Sequence, residues 1–365
     1  MVKNIAYWKG FFMGIGIVLL QIMPAIAKDE LKPVLEKKNE EIPSPKTSKP
    51  DLNLFKQKYC DTLKFSPSVC ASRNLHLKQT LPVDVQVAGD QKFELSGLAV
   101  RNGQLFGVND KNDPFLYRIA TRGSQSAAER VSEIKPLSPE ITCDGKPLDL
   151  EGLVPDGKKG FIVINEACSK AIKVANDGTP SLVKLDYLEE QIPTVGNGFE
   201  AVALDPVTNR LYLVKERAPR KIYEYDLASG KLLRAFDIPS PIGNPDGSPI
   251  MIPNTNPQGK PWTYGPTAAD AYVESHFLYL LERESASILK IDLSKETPQL
   301  VDFVSYARNN VDNLYDTGEP FGLAEGLTMD GAHLYLATDN NSKPTKRDPK
   351  DTRSRLFIFK RPKGF

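Results

Sequence analysis

The chain has 365 residues, of which 40% are hydrophobic and 25% are charged, an ordinary composition for a globular protein. Its 47 basic and 46 acidic side chains give a formal net charge of +1. This balance excludes a protein drawn to nucleic acid or to a membrane surface by its overall charge, so we expect no nucleic-acid partner.

The first 27 residues are typical of a secretory signal peptide. Lys3 and Lys9 precede the apolar stretch FFMGIGIVLLQIMPAIA, which ends in a small-x-small sequence. We expect cleavage after Ala27. An uncleaved anchor is the alternative, because the apolar stretch is near the lower length limit for a spanning helix. Cleavage predicts a periplasmic or secreted protein with no membrane span.

The segment after the signal peptide has the composition of a tether. It reads KDELKPVLEKKNEEIPSPKTSKP over residues 28–50 and contains no aromatic residue. Such a sequence cannot bury enough apolar surface to offset the entropy of ordering, so we expect a disordered tether over 28–52. Residues 53–365 are numerous enough to form one large domain.

The four cysteines are even in number and lack C-x-x-C spacing, which favours disulfides over a zinc or redox site. We predict Cys60 with Cys70, in an N-terminal extension, and Cys143 with Cys168. Each pair is close in sequence, and the second would join two loops that flank one hairpin. The other two pairings stay open, and reduced buried thiols are the alternative in a reducing compartment.

After residue 92 the chain repeats one pattern of strand, tight turn, strand, loop and strand. A fourth strand follows in most repeats, as in RVSEIKPL at 130–137 and LLRAFDIP at 232–239. Five such segments begin with FELSGLAV at 93, LDLEGLV at 148, GFEAVALDP at 198, TAADAYVE at 267 and LAEGLTMD at 323. Four strands in a period of about 50 to 65 residues predict an all-β fold, a β-propeller of four-stranded blades. A β-sandwich would not require the same hairpin to recur.

We expect five blades, with six possible if residues 240–266 contain a degenerate one. That stretch is rich in Pro, Gly and Asn, which favours a long loop on one face. The last repeat is one strand short, whereas LHLKQTLPVDV at 75–85 resembles a strand and precedes the first repeat. We predict that this N-terminal strand completes the final blade, closes the ring and so removes an exposed sheet edge.

Acidic side chains recur in the repeated hairpin. The first strand carries Ser96, Glu151, Glu200 or Glu325, and the second ends in Asp110, Glu166, Glu216, Glu282 or Asp339. Separations of 14 to 16 residues make each pair cross-strand neighbours at one end of a blade. The fourth repeat fits less well, with Asp270 or no acid on its first strand.

If the first strand of each blade is innermost, these residues form an acidic ring at one mouth of the channel. Such a ring needs raised pKa values, basic partners or a bound cation. Calcium is the cation we expect, because it accepts six to eight oxygen ligands in irregular geometry. The candidate ligands are Glu151, Glu200, Glu325, Asp339 and Asn340. Ion pairs and hydrogen bonds between blades are the structural alternative.

Motifs typical of other catalytic or binding sites are absent from the sequence. The three histidines lie far from any nucleophile motif, which argues against a Ser-His-Asp hydrolase. No P-loop and no zinc pattern occurs.

The motifs FELSGLAV, LDLEGLV, GFEAVALDP with LYLVKER, LYLLERE and AEGLTMD with LYLATDNN resemble the phytase-like domain, also called esterase-like activity of phytase, over roughly residues 90–362. A weaker resemblance is to the SdiA-regulated propeller family. The first resemblance implies an envelope or secreted propeller that hydrolyses phosphate or carboxyl esters. The Asp-rich sequence DADDPA of β-propeller phytases is absent, so the resemblance does not extend to phytate hydrolysis.

The resemblance, taken with the acidic ring, therefore implies a monomeric, calcium-assisted hydrolase acting on a small ester or phosphoester at the mouth. The candidate catalytic residues are Glu200, Glu216, Glu282 and Arg283, and the candidate substrate-binding residues are Arg217, Arg283 and Lys343. The alternative is a non-catalytic periplasmic module that binds a peptide, glycan or envelope protein through loops 240–266 and 308–321. A structural scaffold is a third possibility.

Overall fold

A computed structural model describes residues 52–85, 93–110, 112–157, 159–186, 198–217, 219–242, 250–255, 261–264, 267–309, 314 and 323–365. All of these belong to one compact unit, Lys46–Phe365. The predicted signal segment and the predicted tether up to residue 51 lie outside the described residues. No helix in the described ranges is long and apolar enough to cross a bilayer.

The N-terminal extension begins with two short helices, α1 (Leu52–Thr62) and α2 (Pro67–Ser72). Residue 52 therefore opens a helix rather than ending a tether. Ser66 caps α2 by accepting a hydrogen bond from the Val69 amide at 3.4 Å, and a proline follows at the first helical position. The predicted disulfide between Cys60 and Cys70 is present and joins the two helices.

The rest of the described chain is made of strands, as the alternating repeats predict. In chain order they are β1 (His76–Val85), β2 (Leu95–Arg101), β3 (Gln104–Asn109), β4 (Phe115–Arg122), β5 (Gln125–Glu133), β6 (Leu150–Pro155), β7 (Gly160–Asn165), β8 (Lys170–Ala175), β9 (Pro180–Leu182), β10 (Phe199–Asp205), β11 (Arg210–Lys215), β12 (Lys221–Asp226), β13 (Leu232–Asp237), β14 (Ile250–Thr255), β15 (Pro261–Tyr264), β16 (Ala268–Glu274), β17 (Phe277–Glu282), β18 (Ser287–Asp292), β19 (Gln299–Ser305), β20 (Ala324–Met329), β21 (His333–Thr338) and β22 (Arg355–Lys360).

The predicted four-stranded sheets are observed. Strands β6–β9, β10–β13 and β16–β19 each form an antiparallel meander of four strands. Strands β2–β5 form another, and β20–β22 form the first three strands of the last. Among the described residues, the first strands β2, β6, β10, β16 and β20 contact one another in sequence, and β20 contacts β2. This closed series of inner strands is the arrangement of a propeller-like fold.

The N-terminal strand completes the last sheet, as predicted. β1 pairs antiparallel with β22, with Thr80 opposite Phe357. The end of the same strand also pairs parallel with β5, where Val83 lies opposite Ser126. The first and last sheets therefore join into one eight-stranded sheet. A strand from the start of the chain thus closes the ring and leaves neither β5 nor β22 as a free edge.

The stretch 240–266 is not only a loop, which corrects the prediction from its composition. β14 and β15 pair there as a separate two-stranded sheet. The pairing is irregular between Ile252 and Thr255, and Pro253 lies in that irregularity. A proline, which has no backbone N–H, is tolerated where the ladder is interrupted. The described part of this stretch supplies no four-stranded sheet.

Apolar side chains fill the spaces between consecutive sheets. One cluster packs the first sheet on the second through Phe106 and Phe161, whose ring centroids are 4.9 Å apart. Similar clusters lie between each later pair of sheets and between the last sheet and the first. Burial on both faces explains why strands such as GFIVIN, in β7, contain no charged residue.

The second predicted disulfide, between Cys143 and Cys168, is also present. It joins the loop before β6 to the short turn after β7. The amide of Asn165, at the end of β7, donates to the Ile141 carbonyl at 2.8 Å across the same two segments. All four cysteines are therefore paired.

Candidate functional site

The first two strands of each sheet meet at one end of the ring in the same backbone pairing. The facing pairs are Leu95 with Asn109, Leu150 with Asn165, Phe199 with Lys215, Ala268 with Glu282, and Ala324 with Thr338. In every sheet the register shifts by a bulge directly after this pair. Bulges re-aim side chains at the rims of sheets. We call this end of the ring the mouth.

The bulge positions are Ser96, Glu151, Glu200, Ala269 and Glu325. The structure brings Glu151, Glu200 and Glu325 to this mouth, because each lies at the bulge of its first strand and these strands belong to one closed series of contacts. Ser96 occupies the same position in the first sheet and donates its hydroxyl hydrogen to Glu151. In the fourth sheet Ala269 takes this place, so of the two alternatives left open the structure shows the one with no acid, and Asp270 lies one residue further along the strand.

The residue after each second strand forms an outer tier of the mouth. The backbone amides of Asp110, Glu166 and Glu216 donate to carbonyls just before the neighbouring first strands at 3.4, 2.8 and 3.2 Å. The amide of Arg283 makes the equivalent bond to the Thr267 carbonyl at 3.2 Å. The fourth sheet therefore places an arginine where the others place an acid.

Glu282 is consequently not the fourth acid of this tier, and the prediction is wrong by one residue. Its side chain is fully buried on the other side of the strand. There it pairs with Arg220 at 2.8 Å and accepts hydrogen bonds from Tyr59 and Ser285. Neighbouring residues of a strand point to opposite faces, so the structure does not bring this candidate catalytic residue into the mouth.

In the part of the chain that the structure describes, three groups of carboxylates lie side by side around the mouth. In each group, one oxygen from every member lies within 4.8 Å of the others. The groups are Glu94, Asp110 and Asp339; Asp110, Asp149 and Glu151; and Glu166, Glu200 and Glu216. Calcium holds its oxygen ligands at about 2.3–2.6 Å, so two ligands of one ion can be up to about 5 Å apart. The spacing of each group therefore fits such an ion.

Burial and mutual repulsion raise the pKa values of these acids. Burial and the charge of Glu200 raise the pKa of Glu151 well above its usual value. Burial, Glu216 and Glu166 do the same to the pKa of Glu200. Burial and the neighbouring acids Asp149 and Glu216 raise the pKa of Glu166 to about 7. The mouth thus favours protons or a cation near neutral pH.

Arg283 supplies a cation within this tier. Its guanidinium bridges Glu216, at 2.5 Å, and Glu325, and its Nε donates to the Thr267 hydroxyl at 3.0 Å. The arginine side chain is 9% exposed and the Glu216 side chain 1%. Burial still raises the pKa of Glu325 to about 7, although Arg283 opposes the shift. The Arg283 guanidinium is thus paired with acidic side chains of the protein itself.

Asp270 lies further inside the ring of first strands and is completely buried. Its carboxylate accepts hydrogen bonds from the backbone amides of Leu327 at 2.7 Å, Ala271 at 2.8 Å and Leu98 at 3.5 Å. Burial raises the pKa of Asp270 well above its usual value, against the effect of these three amides. This side chain connects the first strands of three sheets.

The aligned positions of three other first strands are glycines because the backbones there nearly touch. A Cβ on Gly152 would lie 2.7 Å from the Val202 nitrogen, and one on Gly326 would lie 2.3 Å from the Ser96 carbonyl oxygen. Glycine at this position therefore allows neighbouring first strands to approach closely, and Ala201 and Asp270 replace it in the third and fourth sheets.

The remaining predicted residues lie at the rim. Arg217 is half exposed and pairs with Glu216 at 2.8 Å. The Lys343 side chain is exposed on the loop after β21. The Asn340 amide group donates to the backbone carbonyls of Lys343 at 2.7 Å and Thr352 at 3.0 Å. Its visible role is to hold this loop.

Two mouth residues were missed from the sequence, Glu94 and Asp149. Each precedes a bulge residue by two positions, in E-L-S and D-L-E, and so lies on the same face of the chain. Glu94 accepts a hydrogen bond from the Ser342 hydroxyl at 2.9 Å. The shared i, i+2 spacing was the signal that could have found both residues.

Comparisons with known proteins give a family match. The family model described as "Phytase-like: Esterase-like activity of phytase" matches residues 93–342. No curated protein matches the sequence.

Similar solved structures include the glutaminyl cyclase of Myxococcus xanthus, 14% identical with a TM-score of 0.47, over 80% of this chain and 98% of that one. The PQQ-bound aldose sugar dehydrogenase of Streptomyces coelicolor is 13% identical with a TM-score of 0.41, over 78% and 97%. The virginiamycin B lyase of Staphylococcus aureus is 12% identical with a TM-score of 0.40, over 78% and 99%. At these identities none of the three indicates what this chain acts on.

Proposed function

The chain belongs to the phytase-like family, and we propose that it is an exported hydrolase that cleaves a small phosphate or carboxyl ester at the acidic mouth with the help of calcium. The observation that carries the proposal is the row of three carboxylate groups spaced for a divalent cation. Among the described residues, no other group of three or more acidic, histidine or cysteine side chains has this spacing.

The ligands would come from the three groups that contain Asp110, Glu151 and Glu200. Asp110 belongs to two of these groups, so it could serve two ions. Calcium is favoured over magnesium because carboxylates at irregular spacing suit its flexible coordination. A cation bound there would polarise an ester oxygen and neutralise negative charge that develops on it.

The protein's own residues would do the rest. Arg217, half exposed at the rim, can steady an anionic substrate without first leaving a buried site. Arg283 orients Glu216 and Glu325 rather than touching the substrate. Glu166, with a carboxylate oxygen within 4.8 Å of those of Glu200 and Glu216, is the candidate general base for the attacking water.

The fold and location belong to the same proposal. We count five blades, because five first strands close a ring and the described part of 240–266 adds only a hairpin. Two disulfides fit an oxidising compartment, which supports export to the periplasm or the medium. We propose that the protein acts as a monomer.

The test is turnover by purified mature protein. We expect hydrolysis of p-nitrophenyl phosphate, bis-p-nitrophenyl phosphate or p-nitrophenyl acetate with calcium, and loss of that activity with a chelator. Glu200→Gln should lower the rate by at least about tenfold through loss of a ligand. Glu296→Gln, at an exposed loop residue, is the matched control. No turnover under any condition would leave the non-catalytic binding module as the function.

A further inference from the structure

The helical N-terminal extension lies outside the part of the chain that matches the family, which begins at residue 93. It is nevertheless built into the mouth end of the ring. The α1 residues Phe55 and Tyr59 share an apolar cluster with Ile238 and Ile242, which follow β13, and with Phe303 of β19. The extension therefore packs against both the third and the fourth sheets.

Tyr59 is the innermost residue of this contact and has no exposed surface. Its ring stacks on Phe303 with centroids 4.8 Å apart. Its hydroxyl donates to Glu282 and lies 3.3 Å from the hydroxyls of Ser240 and Ser285. The disulfide of the next residue, Cys60, joins the helix to α2.

Glu282 is held from both sides. Arg220 pairs with one carboxylate oxygen at 2.8 Å, while Tyr59 and the Ser285 hydroxyl, at 2.7 Å, donate to the other. Both charged side chains are buried, at 6% exposure for the arginine and none for the glutamate. Loss of one partner in such a network leaves polar groups buried without compensation.

The residue next to Glu282 is Arg283, which bridges Glu216 and Glu325 in the mouth. The two side chains leave opposite faces of one strand end. Anchoring the glutamate thus fixes the peptide from which the arginine projects. Tyr306 adds a hydrogen bond from its hydroxyl to the Arg283 carbonyl at 3.2 Å.

We propose that Tyr59 is a positioning residue for the mouth: through Glu282 it holds Arg283 in the bridge between Glu216 and Glu325. The extension is then a working part of the site on which the proposed function rests. Displacing Tyr59 would loosen the buried arginine that joins two acids of the mouth.

A double-mutant cycle in urea tests this coupling, using Tyr59→Phe, Arg283→Gln and the double variant of the full mature chain. No hydrogen bond joins the two side chains directly. Transmission through Glu282 should still make their effects on the unfolding equilibrium constant non-additive by about fivefold. A tyrosine that only docks the helix would give additive effects, within about twofold. Additive effects would overturn the proposal.

The matched control is Tyr335→Phe. Its hydroxyl donates to Asp330 at 2.8 Å, at the end of the last sheet far from the mouth. The effects of Tyr335→Phe and Arg283→Gln on the unfolding equilibrium constant should be additive. If Arg283→Gln does not fold, Arg283→Lys takes its place, because lysine keeps the charge but cannot make the same planar two-sided bridge.

Calcium titration of the same proteins gives a second readout. Arg283→Gln should tighten calcium binding several-fold, because it removes a positive charge that contacts Glu216, a member of one carboxylate group. Tyr59→Phe alone should tighten calcium binding by part of this amount. In the Arg283→Gln background, Tyr59→Phe should not change the calcium affinity further. Equal effects in both backgrounds would contradict the proposal. If no variant binds calcium, the metal part of the proposed function fails, and the urea cycle alone decides the role of Tyr59.

Discussion

Replacing Glu200 by glutamine should change the stability of the protein in opposite directions with and without calcium. The side chain is 6% exposed and lies in one group with Glu166 and Glu216, with oxygens within 4.8 Å of each other. Glutamine has nearly the same shape and no charge. The substitution therefore removes repulsion when no cation is present and removes a ligand when one is.

The size of the effect follows from the spacing. Two unit charges 4.8 Å apart repel by about 3.5 kcal/mol at an effective dielectric constant of about 20. Part of this cost is relieved in the native protein by protons, since the pKa of Glu200 is raised by burial and by Glu216. We therefore expect Glu200→Gln to stabilise the calcium-free protein by about 2 kcal/mol at pH 8, or roughly 4 °C in melting temperature.

The assay is thermal unfolding at pH 8 in a chelator and in millimolar calcium. Calcium should raise the melting temperature of the native protein above that of the variant, which reverses their order. Glu296→Gln, at an exposed loop residue, should follow the native protein in both conditions. A native protein insensitive to calcium, with a variant destabilised in both conditions, would refute the reasoning and leave a ring held by side-chain pairs.

Three further predictions concern the same end of the ring. Glu166 and Glu325 have pKa values of about 7 in the folded protein, above the usual 4.5. Each therefore contributes stability that is fully present below pH 4.5 and is lost as the pH rises through 7. The free energy of unfolding, measured in urea with a chelator, should be lower by roughly 2 kcal/mol per group at pH 8 than at pH 5. An unchanged or higher value at pH 8 would contradict this. Asp270→Ala should cost about 3 kcal/mol by leaving buried amides without an acceptor, and Asp270→Asn clearly less. Gly152→Ala should cost about 2 kcal/mol or more, because its Cβ meets backbone at 2.7 Å, whereas Gly331→Ala, with open space, should be near neutral.

Much of the fold could be predicted from local sequence pattern. Alternating strands and tight turns recur with a fixed period, and each sheet forms mainly between neighbours in sequence, so the four-stranded units needed no long-range information. The closing strand β1 could be predicted because the last repeat lacked a strand and the start of the chain supplied one. Composition misled at 250–264, since a proline that interrupts a ladder does not prevent a hairpin on either side.

The candidate site could be predicted only in part. The recurrence of Glu151, Glu200 and Glu325 pointed to one end of the ring, and the structure places them there. Counting residues across the hairpin failed in the fourth sheet, where it chose Glu282. The same bulge occurs in all five sheets, so it does not explain this miss. The tier position of the fourth sheet holds Arg283, and the count chose the nearest acid, one residue earlier. A shift of one residue exchanges the two faces of a strand.

By itself, the sequence determined which side chains exist at each strand end, how the sheets form and which cysteines are near enough along the chain to pair. Only the tertiary structure decided that Arg283 interrupts the acidic tier, that Asp270 lies where three other first strands have glycine, and that Tyr59 reaches Glu282. These three depend on contacts between segments distant in the chain, and burial makes each contact matter because water cannot replace a missing partner there.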